Sequence, residues 1–512
     1  MRDRGTERAH GDDFGNTRSG NAATTTPDTV PAQRPEARTL KMERDPDLRR
    51  RKRFTHSAAA RRQPRVLEAA RQAAAEVFGA PEERGFGVRY WNGYVEPGRA
   101  APPAFTLVLR RPAALRRMFL PPSELALGEA FVRGDFDVEG DLEPAAALGP
   151  LIAARLRSPR RVARLAMLLL RLPSSDDDRL TREWRGPAPR LAGAGPRHTR
   201  RRDAEAIRFH YDVGNDFYAL WLDAERVYSC GYFATGDDDV DTAQCAKLDY
   251  ICRKLRLRPG ERLLDIGCGW GGLVRYAARH YGVDALGITL SPAQGAYVRQ
   301  RIADDGLAGR CRVEVRDYRD LPGDAVFDKV VSVGMFEHVG PANLATYFDT
   351  AFRLTAPGGL FLNHGIVSLE DARPLSLADR LTRRLWRRGE FLDRYVFPDG
   401  ELVTLADVVR PAEAAGFETR DVESLREHYA RTLRHWVQRL EHHRAEAVAL
   451  VGDATYRVWR LYMAVSAHAF SAGRIGVVQT LLARPNAGRC CLPPTRADLY
   501  QPPGPGWEPG AC

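Results

Sequence analysis

The fold is decided by one stretch of the sequence, RLLDIGCGWGG at residues 262–272. Its apolar residues suit a strand of a parallel sheet, which is buried on both faces. Three glycines at alternate positions then allow a tight turn and let a ligand approach the backbone. A helix beginning at about Leu273 would direct its unpaired N–H groups at that ligand. Because turns also need glycine for steric reasons, this stretch alone indicates only a generic nucleotide-binding turn.

The sequence around this turn alternates between strand and helix patterns. Strands are predicted at Arg262–Ile266, Ala285–Ile288, Cys311–Val315, Lys329–Val333 and Leu360–Asn363, and helices at Leu273–His280, Pro292–Asp305 and Ala342–Leu354. Such alternation is typical of a doubly wound parallel α/β sheet, which binds ligands beyond the carboxyl ends of its strands. We therefore expect the glycine turn, Thr289, Asp317, Glu337 and His364 to share one rim.

Composition divides the chain of 512 residues into five segments. They are a basic tail at 1–62 that we expect to be disordered, a small α+β accessory domain at 63–150, a basic helix and linker at 151–202, the main α/β domain at 203–486, and a C-terminal tail at 487–512. In the accessory domain, a helical pattern at Val66–Phe78 and a strand pattern at Phe105–Leu109 indicate no catalytic chemistry.

The positive charge of the chain is local. The formal net charge is +11, and residues 1–62 hold 15 Lys and Arg against 9 Asp and Glu, while residues 151–202 hold 14 against 4. Basic segments of this kind meet nucleic acid or anionic lipid headgroups. No helix-turn-helix, zinc-finger or aromatic RNA-binding signature supports nucleic acid. The basic, amphipathic stretch Leu151–Leu172 is typical either of a helix at a membrane surface or of a solvated helix packed on its neighbour.

The cysteines and apolar runs bear on the compartment. The 8 cysteines are scattered and suggest neither a metal site nor a disulfide framework, which favours a reduced, cytoplasmic compartment. The N-terminus lacks the apolar core of a signal peptide. The most apolar run, Ala166–Leu170, is too short to span a bilayer. Any membrane contact is therefore expected to be peripheral.

The residues after each predicted strand distinguish between two nucleotide ligands. The turn lacks the spacing Gly-x-Gly-x-x-Gly, and GITLSPAQ (287–294) has no acidic residue at its strand end, although Thr289 or Gln294 could bond ribose hydroxyls. In RDYR (316–319), Asp317 could accept from an adenine amine and Tyr318 could stack. Together these features fit S-adenosylmethionine better than NAD. The candidate donor-binding residues are Asp265, Gly267, Gly269, Gly271, Thr289, Leu290, Gln294, Asp317, Tyr318 and Arg319.

Several motifs resemble the cyclopropane-fatty-acyl-phospholipid synthase family, which includes relatives that modify mycolic acids. They are HYDVGNDF (210–217), VYSCGYF (227–233), LDIGCGWGG (264–272), GMFEHVG (334–340), LNHGI (362–366) and RYVFPDG (394–400). The resemblance covers roughly 204–484, and residues 63–148 resemble the accessory domain of the phospholipid-acting members more loosely. It implies a class I methyltransferase with a Rossmann-like sheet, a helical cap and S-adenosylmethionine as methyl donor.

The resemblance also implies a set of catalytic groups. A bicarbonate ion would act as base, held by Cys230, Glu337, His364, Tyr429 and the backbone N–H of Ile366, while Tyr228 and Ser229 would bind the donor. The aromatic faces of Tyr232, Phe336 and Tyr429 could stabilise a carbocation through their quadrupoles.

One helical face near the C-terminus could take part in substrate binding. Tyr456, Trp459, Met463, Ser466 and Phe470 recur at helical spacing. Such a face is usually core, and it is also compatible with the wall of an acyl channel.

The sequence thus predicts an enzyme that forms cyclopropane rings on unsaturated phospholipid acyl chains, bound peripherally to an anionic membrane at its inner face. A rival exit from the same carbocation would give a methylene or methyl branch. A carrier-bound acyl or small-molecule methyltransferase, and a lipid-binding module without activity, are further alternatives. The oligomeric state stays open, a homodimer among the options.

Overall fold

A computed structural model describes residues 63–174, 197–211, 213–369, 389–490 and 492–500. The predicted basic tail and most of the predicted linker lie outside these ranges. All described residues belong to one unit, Ala60–Cys512. The predicted division between an accessory and a main domain therefore stays a prediction.

Residues 63–174, called here the N-terminal layer, contain a small sheet with helices. Its strands run in the order β2-β1-β3-β4, with β1 at Gly87–Arg89, β2 at Val95–Glu96, β3 at Phe105–Leu109 and β4 at Phe136–Gly140. The helices are α1 at 63–78, α2 at Ala114–Phe119, α3 at Glu124–Val132 and α4 at Leu142–Ala146. The predicted helix and strand of this layer are confirmed.

The basic stretch after α4 forms two helices, α5 (Leu148–Arg155) and α6 (Pro159–Leu170). The prediction of one amphipathic helix over Leu151–Leu172 is wrong, because Pro159 has no N–H to continue a helix and is suited to the first turn of a new one. On α6 the side chains of Leu165, Leu168 and Leu169 are buried.

The main sheet has seven strands in the order β10-β11-β9-β8-β5-β6-β7. They are β5 (Arg262–Ile266), β6 (Asp284–Thr289), β7 (Cys311–Val315), β8 (Phe327–Val333), β9 (Thr355–Ser368), β10 (Glu418–Ser424) and β11 (Ile475–Ala483). Strands β5 to β9 are parallel, as predicted. Strand β11, which was not predicted, is antiparallel to both of its neighbours.

Helices surround this sheet and cover its carboxyl edge. They are α7 (Arg200–Tyr211), α8 (Asn215–Ala219), α9 (Val240–Leu255), α10 (Gly272–Tyr281), α11 (Pro292–Asp304), α12 (Leu344–Leu354), α13 (Glu390–Tyr395), α14 (Leu405–Ala414), α15 (Arg426–His442) and α16 (Arg444–Ser471). The pair α15 and α16 forms the helical cap, and α16 kinks at Gly452, whose φ is 80°.

Both faces of the main sheet are buried, as expected for a strand flanked by helices. Leu263 and Leu264 are consecutive on β5 and both fully buried, yet they belong to different hydrophobic clusters. Successive side chains of a strand point to opposite faces. The apolar run that begins the glycine turn therefore anchors two cores at once, one on each side of the sheet.

The N-terminal layer is joined to the helical cap by buried contacts. The Arg457 guanidinium on α16 donates to Asp137 on β4 over 2.8 Å and to the carbonyl of Phe131 over 3.2 Å. Ala464, also on α16, belongs to the hydrophobic core of the N-terminal layer. Because the side chain of Arg457 is only 3% exposed, these are interior contacts between the two parts.

One expectation about the cysteines is corrected by the structure. Cys245 on α9 is disulfide-bonded, whereas Cys230, Cys252, Cys268 and Cys311 are free. The scattered spacing of the cysteines had indicated no disulfide, and spacing cannot reveal pairs that only the fold brings together. Of the helices in the described residues, none combines the length and the apolarity needed to cross a membrane.

Candidate active site

The glycine turn follows β5 and leads into α10. Gly267, Gly269 and Gly271 have φ values of 88°, 55° and 80°, in the region that favours glycine. A Cβ at Gly267 would lie 2.7 Å from Met335, and one at Gly271 would lie 2.6 Å from Val298. A Cβ at Gly269 would meet nothing within 4 Å, so the backbone there borders open space.

A cavity of about 120 Å³ opens beside this turn. Every predicted donor-binding residue lines it except Gly271, whose Cβ position faces Val298 instead. The lining set is Tyr228, Ser229, Asp265, Gly267, Gly269, Thr289, Leu290, Gln294, Asp317, Tyr318 and Arg319. The structure therefore brings together residues that are up to 91 positions apart in the sequence.

The polar atoms of this cavity leave room for a ligand. Asp265 is 2% exposed, its Oδ1 has no hydrogen-bond partner among the described residues, and burial raises its pKa to about 7. The Nε2 of Gln294 is also buried without a partner, while its Oε1 accepts from Thr289 over 2.7 Å. Leaving buried polar atoms unpaired is costly. An acceptor and a donor beside an open glycine turn fit the amino-acid and ribose groups of S-adenosylmethionine.

Asp317 occupies the predicted place but already has a partner. Its Oδ1 accepts from Nε of Arg319 over 2.8 Å and its Oδ2 from Nη2 over 2.6 Å. The hydrogen bonds and charge of Arg319 outweigh burial and lower the pKa of Asp317. The prediction that Asp317 accepts from an adenine amine stays a prediction, since Arg319 holds both of its oxygens here.

Lys247 is a site residue that sequence reasoning missed. It is 1% exposed, lines the donor cavity, and donates from Nζ to Oγ of Ser229 over 2.8 Å. Burial lowers the pKa of Lys247, opposed by the charge of Asp223. Because Ser229 accepts from Lys247, its own hydroxyl hydrogen is left to donate elsewhere. The only signal in the sequence is a lysine inside the apolar pattern of α9.

Glu337 lies in a 3-10 turn that follows β8. Its Oε1 accepts from the backbone N–H of Ile366 over 2.7 Å, whereas its Oε2 is shielded from solvent and has no partner among the described residues. Burial raises the pKa of Glu337 to about 7, opposed by the Ile366 hydrogen bond. Ile366 was expected to donate to a bound anion, and here it donates to Glu337.

His364 lies two residues before Ile366 on β9 and is 1% exposed. Its Nδ1 is 3.2 Å from Nε2 of Gln479 on β11. With that amide donating, Nδ1 accepts and the ring proton sits on Nε2, which has no partner among the described residues. Burial lowers the pKa of His364 to about 3, so the ring is neutral. It is not hydrogen-bonded to Glu337.

Cys230 and Tyr429 complete the predicted catalytic set. Cys230 is fully buried, with Sγ 3.6 Å from the carbonyl of Leu425, and burial raises the pKa of its thiol. Burial likewise raises the pKa of Tyr429, with further contributions from Cys230 and Glu337. Both groups therefore stay protonated at neutral pH, and Tyr429 shares an electrostatic environment with Glu337.

The role of the aromatic groups that were expected to stabilise a cation stays a prediction, and the structure gives their packing. Tyr232 stacks on His428 with ring centroids 5.0 Å apart, and Phe336 packs against Tyr347 at 6.0 Å. Burial, helped by the charge of Glu337, raises the pKa of both Tyr211 and Tyr462. The hydroxyl of Tyr462 lies 3.1 Å from that of Tyr228.

Known proteins resemble this chain over its main part. The family described as mycolic acid cyclopropane synthetase matches residues 198–480, and a domain of unknown function, DUF7884, matches residues 74–147. A probable fatty acid methyltransferase of Pseudomonas putida is 44% identical over 401 residues, which is 78% of this chain and 92% of that protein. A second probable fatty acid methyltransferase, of Mycobacterium tuberculosis, is 38% identical over 79% of this chain and 90% of its own length.

Solved structures agree with this. The cyclopropane synthase MmaA2 of Mycobacterium tuberculosis is 35% identical, with a TM-score of 0.51, covering 55% of this chain and 98% of that one. The mycolic acid cyclopropane synthase CmaA1, in complex with S-adenosylhomocysteine and CTAB, is 34% identical with the same TM-score of 0.51. The glycine turn, the donor cavity and these matches together assign the chain to the mycolic acid cyclopropane synthetase family of S-adenosylmethionine-dependent methyltransferases.

Proposed function

We propose that this enzyme converts cis double bonds of unsaturated phospholipid acyl chains into cyclopropane rings. The observation that carries the proposal is the carboxyl of Glu337, which has a free oxygen in a site surrounded by aromatic and apolar groups. Ring closure needs a place that accepts a proton, tolerates a neighbouring cation and excludes water. The family relatives that act on fatty acids or mycolic acids support an acyl substrate.

The bound donor supplies an electrophilic methyl group, to which the π electrons of the alkene form a new C–C bond as the C–S bond breaks. The alkene is left with a carbocation, and when the new methyl loses a proton its C–H electrons close the ring. In this chain, Asp265 and Ser229 bind and orient the donor. The faces of Tyr211, Tyr429 and Tyr462 stabilise the cation. Glu337 lies where the proton leaves.

The catalytic groups would hold a bicarbonate ion, which would supply the proton acceptor. The Nε2 of His364 carries a hydrogen and Oε2 of Glu337 has no partner, so each lacks the contact that such an ion provides. The hydroxyl of Tyr429 would donate to the ion, and the thiol of Cys230 would have to turn from the Leu425 carbonyl to do so. Ile366 would act on the ion indirectly, since its N–H holds Oε1 of Glu337 in position.

A second product is supported by the name of one relative. The protein that is 44% identical is described as a probable fatty acid methyltransferase, not as a cyclopropane synthase. Proton loss after migration of a hydride would give a methylene branch with the same added CH₂. A partner reductase would then convert it to a methyl branch.

The product decides between these alternatives. The full-length enzyme is expressed in a host that makes monounsaturated phospholipids, and its lipids are analysed by mass spectrometry before and after mild catalytic hydrogenation. We expect acyl chains that gain one CH₂ and that take up no hydrogen. Uptake of one H₂ by the new species would reject the ring in favour of the methylene branch. The Glu337→Gln variant, expressed to the same level, serves as the inactive control.

In this proposal, α6 contacts the membrane surface. Its Met167 and Leu170 are 58% and 62% exposed, and Arg160, Arg161 and Arg171 are exposed around them. Apolar side chains among arginines suit the interface of an anionic bilayer. This supports a peripheral enzyme at the inner face of the membrane, where phospholipid acyl chains are accessible.

A further inference from the structure

A second cavity, of about 440 Å³, lies between the N-terminal layer and the helical cap. We call it the interlayer cavity. Its volume falls within the range of ligand pockets and exceeds that of the donor cavity. One wall comes from α3 and α5 and the other from α13 and α16. Apolar residues dominate among those described, including Leu127, Phe131, Ile152, Ala153, Phe391, Leu461, Val465 and Ala469.

The face of α16 that lines the interlayer cavity is not fully packed. Leu461, Val465 and Ala469 recur every four residues, which places them on one helical face. All three remain partly exposed although α16 packs between two hydrophobic cores. The remaining space is lined mainly by hydrocarbon, and apolar cavities do not hold water well. Such a space suits an apolar ligand.

The interlayer cavity adjoins the reacting groups through Tyr462. This residue lines the cavity, and its hydroxyl lies 3.1 Å from the hydroxyl of Tyr228, which lines the donor cavity. The charge of Glu337 acts on the same phenol. Tyr462 therefore lines the apolar space itself and is connected to the donor cavity through its hydrogen bond with Tyr228.

The charged groups of the cavity do not indicate a charged ligand. Among the described residues two side chains that carry a charge at neutral pH line it, Glu124 and Arg474. The carboxylate of Glu124 already accepts from the backbone N–H of Gly389 over 2.9 Å. The ligand that suits the lining is therefore a hydrocarbon chain, with its polar end outside the cavity.

We propose that the interlayer cavity holds the part of the acyl chain beyond the reacting double bond, and that the N-terminal layer thereby selects chain length. The inference rests on the proposed function and deepens it. It gives a role to the region matched by the domain of unknown function at residues 74–147, which supplies Leu127 and Phe131 to the wall. The layer is then part of the substrate site and more than a membrane anchor.

Two adjacent alanines on α5 provide a matched test. Ala153 lines the cavity and is partly exposed, whereas Ala154 is exposed and lies outside it. Ala153→Phe adds a phenyl ring to the cavity. If this displaces about two methylenes of a bound chain, binding of the fluorescent fatty acid cis-parinaric acid should weaken roughly tenfold. Ala154→Phe should bind the probe like the wild type. Equal binding by both variants would overturn the proposal.

Turnover provides the second measurement. We expect Ala153→Phe to lower the ratio of turnover on 18-carbon to 14-carbon monounsaturated phospholipids roughly tenfold, because the longer chain loses its place. Ala469→Leu narrows the same cavity from the α16 wall and should shift the ratio in the same direction even if Ala153→Phe fails to fold. Unchanged ratios in active variants would reject the cavity as the acyl site.

The controls separate this inference from the proposed function. Titration with S-adenosylhomocysteine should give wild-type affinity in every folded variant, since the donor cavity is a different space. If the wild type modifies no acyl lipid at all, the proposed function fails. If the wild type modifies lipids but neither Ala153→Phe nor Ala469→Leu changes the preference for chain length, only the cavity assignment fails.

Discussion

Glu337 combines two properties that single out a proton-handling group. One carboxylate oxygen is fixed by the N–H of Ile366, and the other has no partner among the described residues. Burial raises the pKa of this carboxyl to about 7, so its charge changes within the physiological range. A group near the operating pH transfers protons most effectively.

The charge of Glu337 should appear in the pH profile of the enzyme. Below a pH of about 7 the carboxyl is mostly protonated. Above that pH the carboxylate can accept a proton or hold one in position. We expect kcat to rise as the pH increases from 6 to 8. Glu337→Gln should lower kcat by a factor of roughly 10²–10⁴ and remove this rise. Isothermal titration with S-adenosylhomocysteine checks that donor binding is intact, and a wild-type profile in the variant would contradict the assignment.

Sequence reasoning reached Glu337 but not Lys247, for a physical reason. Glu337 comes four residues after the predicted strand that ends at Val333, so the strand pattern alone places it near the sheet edge. The burial of Lys247 depends on Ser229 and Asp223, which lie in a loop and reach α9 only in the folded chain. The hydrogen bond from the N–H of Ile366 to Glu337 could not be predicted from the sequence either, because it forms only when the turn after β8 packs against β9.

At the scale of elements, the glycine turn constrains the packing of α10 against α11. Gly271 has a φ of 80°, and a Cβ there would lie 2.6 Å from Cγ1 of Val298 on α11. Real Cβ atoms do not approach that closely, so a side chain would displace one of the two helices. This glycine meets two demands, a left-handed backbone and a close approach.

A pair of glycine substitutions separates these two demands. Gly306 has a similar φ of 67°, but a Cβ there would meet nothing within 4 Å. Gly306→Ala should therefore cost about 1 kcal/mol of unfolding free energy from strain alone. Gly271→Ala should cost roughly 2–4 kcal/mol, because overpacking adds to the strain. Thermal and urea unfolding measure both.

Shortening Val298 tests whether its contact with residue 271 causes the larger loss of stability in Gly271→Ala. Val298→Ala should restore part of the stability lost in Gly271→Ala and none of that lost in Gly306→Ala, as expected for directly coupled sites. Equal losses in the two single variants would show that the contact with Val298 is unimportant.

The elements that sequence reasoning missed lie at one side of the sheet. The strands from β5 to β8 were predicted to within two residues, and β9 extends five residues beyond its predicted bounds at each end. By contrast, β11 is a mostly apolar run that follows a helix after three residues, and such a run does not distinguish a strand from a buried helix. Its antiparallel direction follows from the helical cap, which returns the chain from the other end of the sheet.

At the scale of the whole molecule, charge and apolar exposure coincide on α6. The membrane proposal predicts that the protein sediments with vesicles that contain anionic phospholipid and is released at high salt, since electrostatic attraction is screened. Met167→Ser together with Leu170→Ser should weaken binding roughly tenfold or more, because two exposed apolar side chains lose their insertion. Leu450→Ser, at a side chain that is 51% exposed on α16, is the matched control.

Two results would count against this surface. Binding to neutral vesicles with no salt dependence would show that the arginines of α6 are not involved. An equal loss in the Leu450→Ser control would show that general surface apolarity, and not α6, mediates the attachment.

The interlayer cavity could not be predicted from the sequence, although one of its walls was partly seen. The spacing of Ser466 with its neighbours on α16 indicated a core or channel face, and Ser466 does line the cavity. The opposite wall comes from α3 and α5, more than 300 residues earlier. No local pattern records that these elements meet, because their contact depends on buried pairs such as Arg457 with Asp137.

The position of β11 sets the order in which the chain can be completed on the ribosome. β11 stands between β9 and β10, and its Gln479 pairs with His364, 115 residues earlier. At ordinary rates of translation, Gln479 is synthesised roughly 6–23 s after His364. During this interval one edge of β9 and all of β10 lack their neighbouring strand, and an unpaired edge invites aggregation. A chain released by interrupted translation between β10 and β11 would keep these unpaired strand edges and would therefore be prone to aggregate.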